Sequence, residues 1–280
     1  MDSTIDVSFI EEYNAQLHVR YENQGFLYKN LTREGTCEGT RVYWQRFGSF
    51  TAGDKNRNGQ VDLQNPEHTR VYADMADKYV GSLVDNLDMM KQNINEMQAH
   101  ANGQMTALGR EFDSSLRTVI AAGAASEIGP GDGEALTVWD MNKVPETFQL
   151  ANAPMDGNIF AAVGPRTWSK MMEIDEFVNL DYIGGGDLPY AGGMVAKRWR
   201  GVLWWTDPLI AYNGSTAVET NLVWHKDAVG HGINKPPSTD IGWERLYQGY
   251  AFVSSMSRGA AVIEPNGVYT WSVDTAETPA

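Results

Sequence analysis

The chain has 280 residues, 42% of them hydrophobic, with 28 Gly and 11 Pro, which is long enough for one large or two smaller cores and too apolar for a disordered protein. A formal charge of -14, from 22 Lys plus Arg against 36 Asp plus Glu, repels nucleic acid at long range, and no basic stripe interleaved with aromatics offsets it. The single cysteine, Cys37, excludes an internal disulfide and points to a reducing compartment, and no apolar run is long enough to cross a bilayer; the expectation is a soluble, intracellularly made protein with no membrane partner.

In chain order, Ser8 begins the first predicted helix, with Glu11 at the capping-box position and Ile10, Tyr13, Leu17 and Tyr21 on one face up to Gly25. Taken alone, these residues describe a terminal helix packed on its own domain. Residues 40–47 and 69–75 are strand-like, carrying Tyr43, Trp44, Val71 and Tyr72. Between them, residues 53–65 form a polar, glycine-containing tip with Lys55 and Arg57. Two antiparallel arms of this size would project about 40–50 Å at about 3.3 Å per residue. So long a two-stranded ribbon is not stable alone and needs a surface, either its own sheet or another one.

Residues 74–84 read as a strand, followed by the strongest periodic signal in the chain. Over residues 95–123, Met97, Ala101, Met105, Leu108, Phe112, Leu116 and Val119 recur at steps of four or three, the spacing of one helical face. Asn95 can cap the start, Glu96 suits the positive end, and Gly123 can close the far end. At about 1.5 Å per residue such a helix is about 40 Å long, a strut for the domain. The glycine- and proline-rich stretch 128–133 marks a predicted domain boundary. Residues 134–239 mix helical segments (139–151, 165–177) with short aromatic strands such as 202–205. Residues 247–261 and 268–273 are strand-like and expected to return beside the long helix.

Candidate chemical sites are weak. Residues 54–62 match a calcium loop at several positions, but Asn65 stands where the bidentate glutamate belongs and Lys55 and Arg57 sit inside the loop. His225 and His231 are six residues apart with no third His or Cys nearby, so no metal is expected. The glycine-rich stretch 183–187 lacks the Gly-Lys-Ser/Thr ending of a phosphate loop. Trp199, Trp204 and Trp205 could line a carbohydrate-binding or hydrolytic site, or form core and interface, where aromatics more often sit. No catalytic residue, cofactor or metal is expected.

Several pieces of the sequence keep a familiar order. Leu83-Val84-Asp85 leads into the long helix; Ala107-Leu108-Gly109-Arg110 with Asp113 follows, and Val119-Ile120-Ala121-Ala122-Gly123 ends it. Far downstream come Trp224-His225-Lys226-Asp227-Ala228-Val229-Gly230 and Tyr250-Ala251-Phe252-Val253-Ser254-Ser255-Met256-Ser257-Arg258-Gly259-Ala260. In order and spacing, from about Thr4 to Asp274, the chain resembles the major capsid proteins of tailed bacteriophages. The resemblance implies a mixed α+β fold with an N-terminal arm (1–35), an extended loop (36–73), a peripheral domain with a spine helix (74–130 and 240–275) and an axial domain (131–239).

It further implies a virion protein, assembled in the host cytoplasm, whose activity is self-assembly into hexamers and pentamers of an icosahedral shell. That shell would enclose double-stranded DNA without sequence-specific binding. Scaffolding, portal and decoration proteins would be separate partners, and maturation would follow from a smaller precursor. Contacts between subunits would involve Ile10, Tyr13 and Leu17 of the arm and Tyr43, Trp44, Lys55, Arg57, Val71 and Tyr72 of the loop. An encapsulin-type compartment is the alternative on the same fold. Some family members lock neighbours by an isopeptide bond from a loop lysine to an asparagine, assisted by a glutamate. Lys55 is the only lysine between Thr36 and Met75, but Asp240-Ile241-Gly242-Trp243-Glu244, where the family places the acceptor, has no asparagine, and Asn234 and Asn266 lie off that position. The expectation is a non-covalent shell.

Overall fold

The computed structural model describes residues 25–37, 39–86, 96–131, 133–178 and 196–276. Ile10, Tyr13, Leu17, the capping Asn95 and the glycine-rich stretch 183–187 lie outside the described residues.

The long helix, α1 (Glu96–Ala122), follows the sequence closely. Its innermost line is Gln104, Leu108, Phe112, Leu116 and Ile120, all buried at steps of four, whereas Ala101, Met105 and Val119 from the predicted stripe are only half-buried. Gln104 reads as polar in sequence yet belongs to this line because its amide is saturated. It donates to Ser82 Oγ (2.8 Å) and the Phe252 carbonyl (3.1 Å) and accepts from Ser254 Oγ (2.7 Å).

One face of α1 lies on a four-stranded sheet ordered β1-β11-β12-β4. Its strands are β1 (Arg33–Thr36), β4 (Ala76–Asp85), β11 (Val229–Glu244) and β12 (Gly249–Val262). Alternate residues of β12, namely Phe252, Ser254 and Met256, are buried toward the helix, the two-residue period of a sheet with one covered face.

The second half of α1 also meets a seven-stranded sheet. Its path is β5-β13-β10-β6-β8-β7, with β9 (Ala211–Asn213) paired to β10. The strands are β5 (Ser126–Gly131), β6 (Ile159–Val163), β7 (Ala196–Trp199), β8 (Val202–Thr206), β10 (Val218–His225) and β13 (Val268–Asp274). Both faces are covered, which explains why β6 is apolar throughout. Ile159, Ala161, Val202, Trp204, Val223 and Trp271 face one core with α2 (Val138–Leu150), α3 (Pro165–Met171) and α4 (Asp175–Val178). Phe160, Ala162, Trp205, Leu222 and Trp224 face the other, shared with α1. α2 begins with a full capping box in which Thr137 and Asp140 satisfy each other's backbone.

Residues 268–273 were expected beside the long helix; β13 instead pairs with β10 and β5 in the larger sheet. Tyr269, Trp271 and Val273 on one face and Val268 on the other are all buried. A strand that is apolar on both sides needs cover on both sides, which the four-stranded sheet, exposed opposite α1 at Tyr79, Leu83 and Val253, does not offer along its length. Residues 128–131 of the glycine- and proline-rich stretch fall in β5, at the edge of the larger sheet. β11 runs unbroken through residue 240, so no interruption of the strand falls there.

β2 (Arg41–Phe47) and β3 (His68–Asp74) form a separate antiparallel ribbon in register from Arg41↔Asp74 to Phe47↔His68. Its base is seated on its own subunit: Val42, Trp44 and Ala73 pack with Cys37 and Ile263. Trp44 lies over Gly230, where a Cβ would come within 2.6 Å of the indole ring and 2.9 Å of Ile263 Cδ1. The Gly230→Ala change should therefore displace Trp44 and cost about 1–3 kcal/mol by overpacking. Thermal unfolding of the purified subunit would check this, and an unchanged Tm would show that the ribbon base is loosely seated.

Candidate assembly surfaces

Beyond its base the ribbon borders a groove, with Arg46, Phe47 and Glu67 on one side and Ala151–Pro154 of the body on the other. Val42 and Trp44 point inward, while Tyr43, Phe47 and Tyr72 point out, the alternation expected of strands lying on one surface. Tyr43 and Tyr72 stand across from each other with ring centroids 6.1 Å apart, and the Arg41 guanidinium lies 4.6 Å from the Tyr72 ring. Arg46 reaches Glu264 at 2.7 Å, the last side-chain tie to the body along β2. Further out, Gln64 closes the loop on itself by bonding both the amide (2.8 Å) and the carbonyl (2.6 Å) of Thr51. Phe50, Val61 and Leu63 are exposed, Leu63 at 90%. Lys55 and Arg57 have no acidic partner among the described residues.

Of the predicted contact residues, the structure thus brings Tyr43, Tyr72, Lys55 and Arg57 to the outside of one projecting element. Val71 is half-buried, and Trp44, 6% exposed, is taken up in its own subunit. Sequence reasoning treated Tyr43 and Trp44 alike; only the strand's phase relative to the sheet separates them.

A second open surface is the face of the four-stranded sheet opposite α1. The register stacks Tyr79 beside Ser255, Gly81 beside Val253 and Asp240, and Leu83 beside Ala251 and Gly242. Tyr79, Leu83 and Val253 are exposed. Asp77, Asp240 and Glu244 lie at its margins without a basic partner among the described residues. The centre is largely apolar; the rim carries these three acids together with Lys235, whose amine donates to Ser255 Oγ at 2.7 Å.

The third feature is where the described chain begins, and no sequence signal pointed to it directly. The segment from Gly25 crosses α1 at Gly109, so closely that a Cβ on Gly25 would fall 2.3 Å from the Gly109 carbonyl carbon; Gly25 has φ +80°, which suits glycine. Phe26 N donates to Gly109 O (3.4 Å), and the Asp113 carboxylate accepts from Leu27 N (3.1 Å) and Tyr28 N (3.3 Å). Tyr28 is fully buried, stacked on Trp224 and edge-on to Trp205. Its hydroxyl donates to Asp207 (2.6 Å), which also takes Arg117 at 2.7 Å. Burial pushes the Tyr28 phenol well above its usual value and raises the Asp113 carboxyl. The available clue was Asp113, an acid beside Phe112 on the buried stripe of an amphipathic helix.

The weaker chemical sites resolve into structure. His225 pairs with Asp156 (3.0 Å), a carboxylate held low, to about 2, chiefly by the Asn158 side chain. His231 bonds Thr32 in the other sheet system, so the two histidines share nothing. Among the described residues no group of three His, Cys, Asp or Glu could hold a metal ion. Trp199, Trp204 and Trp205 are buried on both sides of the seven-stranded sheet and line no carbohydrate site.

A helix-backed small sheet, a larger doubly covered sheet and a ribbon projecting away from both define a shell-forming subunit with the tailed-phage major capsid fold. The profile of the phage capsid protein family matches residues 5–274, and the chain belongs to that family. The solved structures it resembles include the capsid of Cyanophage P-SCSP1u, with TM-score 0.73 at 18% identity over 94% of each chain. A chain of Mycobacterium phage Che8 gives 0.71 at 16% identity over 92% of this chain and 94% of that one. The Cyanophage Pam1 capsid gives 0.72 at 11% identity over 94% and 95%. No curated protein matches it in sequence. The chain is a structural subunit of a phage capsid.

Proposed function

We propose that this subunit assembles with copies of itself into hexamers and pentamers of a closed icosahedral head, built in the host cytoplasm around double-stranded DNA. In this reading the four-stranded sheet with α1 is the peripheral domain and the seven-stranded sheet with α2–α4 is the axial domain. Of the arm (1–35) and loop (36–73), residues 25–35 and the ribbon base stay with their own body, and the rest of the arm and the ribbon tip would reach to neighbours. The observation that carries it is the ribbon tip, where Phe50, Val61 and Leu63 are exposed together, uncovered among the described residues. The unpaired Lys55 and Arg57 of that tip complement the acidic, apolar-centred face carrying Asp77, Tyr79, Leu83 and Asp240. Many modest interfaces of this kind sum to a stable shell through multivalency. The charge of -14 gives the enclosed DNA few cationic anchors, so it would be confined and not gripped. Scaffolding, portal and decoration proteins would be separate chains. Negative-stain electron microscopy of the purified protein tests the reading: closed particles or ring-shaped capsomers are expected, and monodisperse single subunits at high protein concentration would contradict it.

The shell should be held without covalent cross-links. Asn234 is occupied, donating its side-chain amide to Gly39 O at 3.1 Å, and residues 240–244 hold no asparagine for a lysine amine to attack. Boiling mature particles in denaturing detergent should release one band at 31.0 kDa; a ladder of multiples would overturn this.

A further inference from the structure

The imidazole of His231 sits where β1, β11 and α1 meet, and its surface is fully buried. β1 runs parallel to β11 with Glu34 opposite His231, so this side chain lies under the strand that follows the Tyr28 anchor. Its Nδ1 is 2.8 Å from Thr32 Oγ1, and the same hydroxyl donates to Tyr28 O at 3.1 Å. A hydroxyl has one proton to give. With that proton spent on Tyr28, Thr32 can only accept from His231, which puts a hydrogen on Nδ1. Nε2 is buried and has no hydrogen-bond partner among the described residues, so the neutral ring, with a bare lone pair there, is the form the site favours. Beside it stands the Phe112 ring, perpendicular at 5.5 Å.

We propose that His231 is an acid-sensitive latch: uncharged it ties residues 25–36 to β11, and protonated it releases that segment while both sheets stay folded. A proton on Nε2 creates a donor with no acceptor and a charge in an apolar site, which are two costs the neutral ring avoids. The surroundings do not offset them. From β1, Glu34 favours the charged ring; from the 3-10 turn (Lys29–Leu31), Lys29 opposes it. From β12 come Ala260 opposite and Arg258 two residues on, the latter already engaged by Glu111 of α1. From α1 itself come Phe112 and Asp113, whose carboxylate is committed to the Leu27 and Tyr28 amides. Burial accordingly lowers the imidazole below its ordinary 6.5.

For a group lowered in the folded state, stability is fully present above the unfolded value and drains as pH falls below it. The latch therefore weakens as pH drops from about 6.5. Asp113 works in the opposite sense: burial raises its carboxyl, so acid relieves it, and release on acidification cannot be assigned to that residue. What lets go is the anchor of residues 25–36 on α1 and β11. The inference stands on this junction alone.

Hydrogen–deuterium exchange with mass spectrometry on the full chain, corrected for intrinsic rates, tests it at about pH 7.5 and about pH 5.5. Opening of a peptide covering residues 29–36 should rise about tenfold, the effect of about one unit of titration, while a β12 peptide at 250–258 stays level. In His231→Asn the short amide can still donate to Thr32 but cannot be charged, so the rise should vanish. A level response in the natural chain, or an equal rise in the variant, overturns the proposal. If that variant does not fold, the midpoint in the natural chain decides: one between about pH 5 and 6.5 supports His231, and one in the carboxylate range, below about 4.5, overturns it.

Discussion

Deletion of residues 51–62 should leave a folded subunit that no longer closes a shell. The register of β2 and β3 is fixed at Phe47↔His68 and extended by Gly48 N to Glu67 O at 3.0 Å, so the cut falls beyond the last ladder bond. The hydrogen bonds it removes, between Gln64 and Thr51 and from Gly59 N to Asn56 O, are internal to the loop. The ribbon's core, Val42, Trp44 and Ala73, is untouched. Circular dichroism and Tm should therefore change little, because substitutions of uncovered surface usually move stability by only about 0.5 kcal/mol. Particle yield should fall by orders of magnitude, since a defect repeated at every interface multiplies through a shell. Normal particles from the deletion would show that the tip is dispensable and that neighbours meet elsewhere. The paired reversal Lys55→Glu with Arg57→Glu separates charge from shape: if only apolar burial matters, it should assemble nearly as well as the natural chain.

Tyr28→Ala should damage the subunit more than the change at Gly230. It removes a fully buried ring stacked on Trp224 and edge-on to Trp205, a class of truncation that costs about 3–5 kcal/mol. It also strips a hydrogen bond from Asp207, which is left with Arg117 and the Leu209 amide in a site from which water is nearly excluded. Tyr28→Phe keeps the ring and loses only the hydroxyl, for about 1–2 kcal/mol. Urea unfolding of the unassembled subunit would measure both. Equal effects from the two variants would mean the hydroxyl carries the site; no effect from either would mean that residues 25–32 contribute nothing to the body's stability.

Much of this was legible in the sequence where one period dominates. The long helix, the two arms of the ribbon and the strands at 202–206 and 249–262 were visible because their apolar spacing matches a single covered face or an unbroken run. Gln104 and Asp113 were not, because a polar residue becomes a core residue only when distant groups saturate it: Ser82 and Ser254 for one, the Leu27 and Tyr28 amides for the other. The place of β13 was hidden for a related reason, since an apolar strand does not say which sheet can cover both its faces. Tyr43 and Trp44 differ only in phase, and phase is fixed by Gly230 and Ile263, nearly two hundred residues downstream. The run of Val, Tyr and Trp marked the two strands; only geometry told the ribbon's inner side from its outer.

The crossing of Gly25 over Gly109 also sets how freely the sequence can drift. Any side chain at position 25 must push the segment off the helix, and with it Phe26, the amides held by Asp113 and the ring of Tyr28. No single compensating change restores all of these, because they belong to three separate elements. At the ribbon tip, where Phe50, Val61 and Leu63 are exposed, substitutions meet no such veto among the described residues. Related chains that keep this geometry should therefore diverge faster at the tip, while positions 25, 109 and 113 change together or not at all.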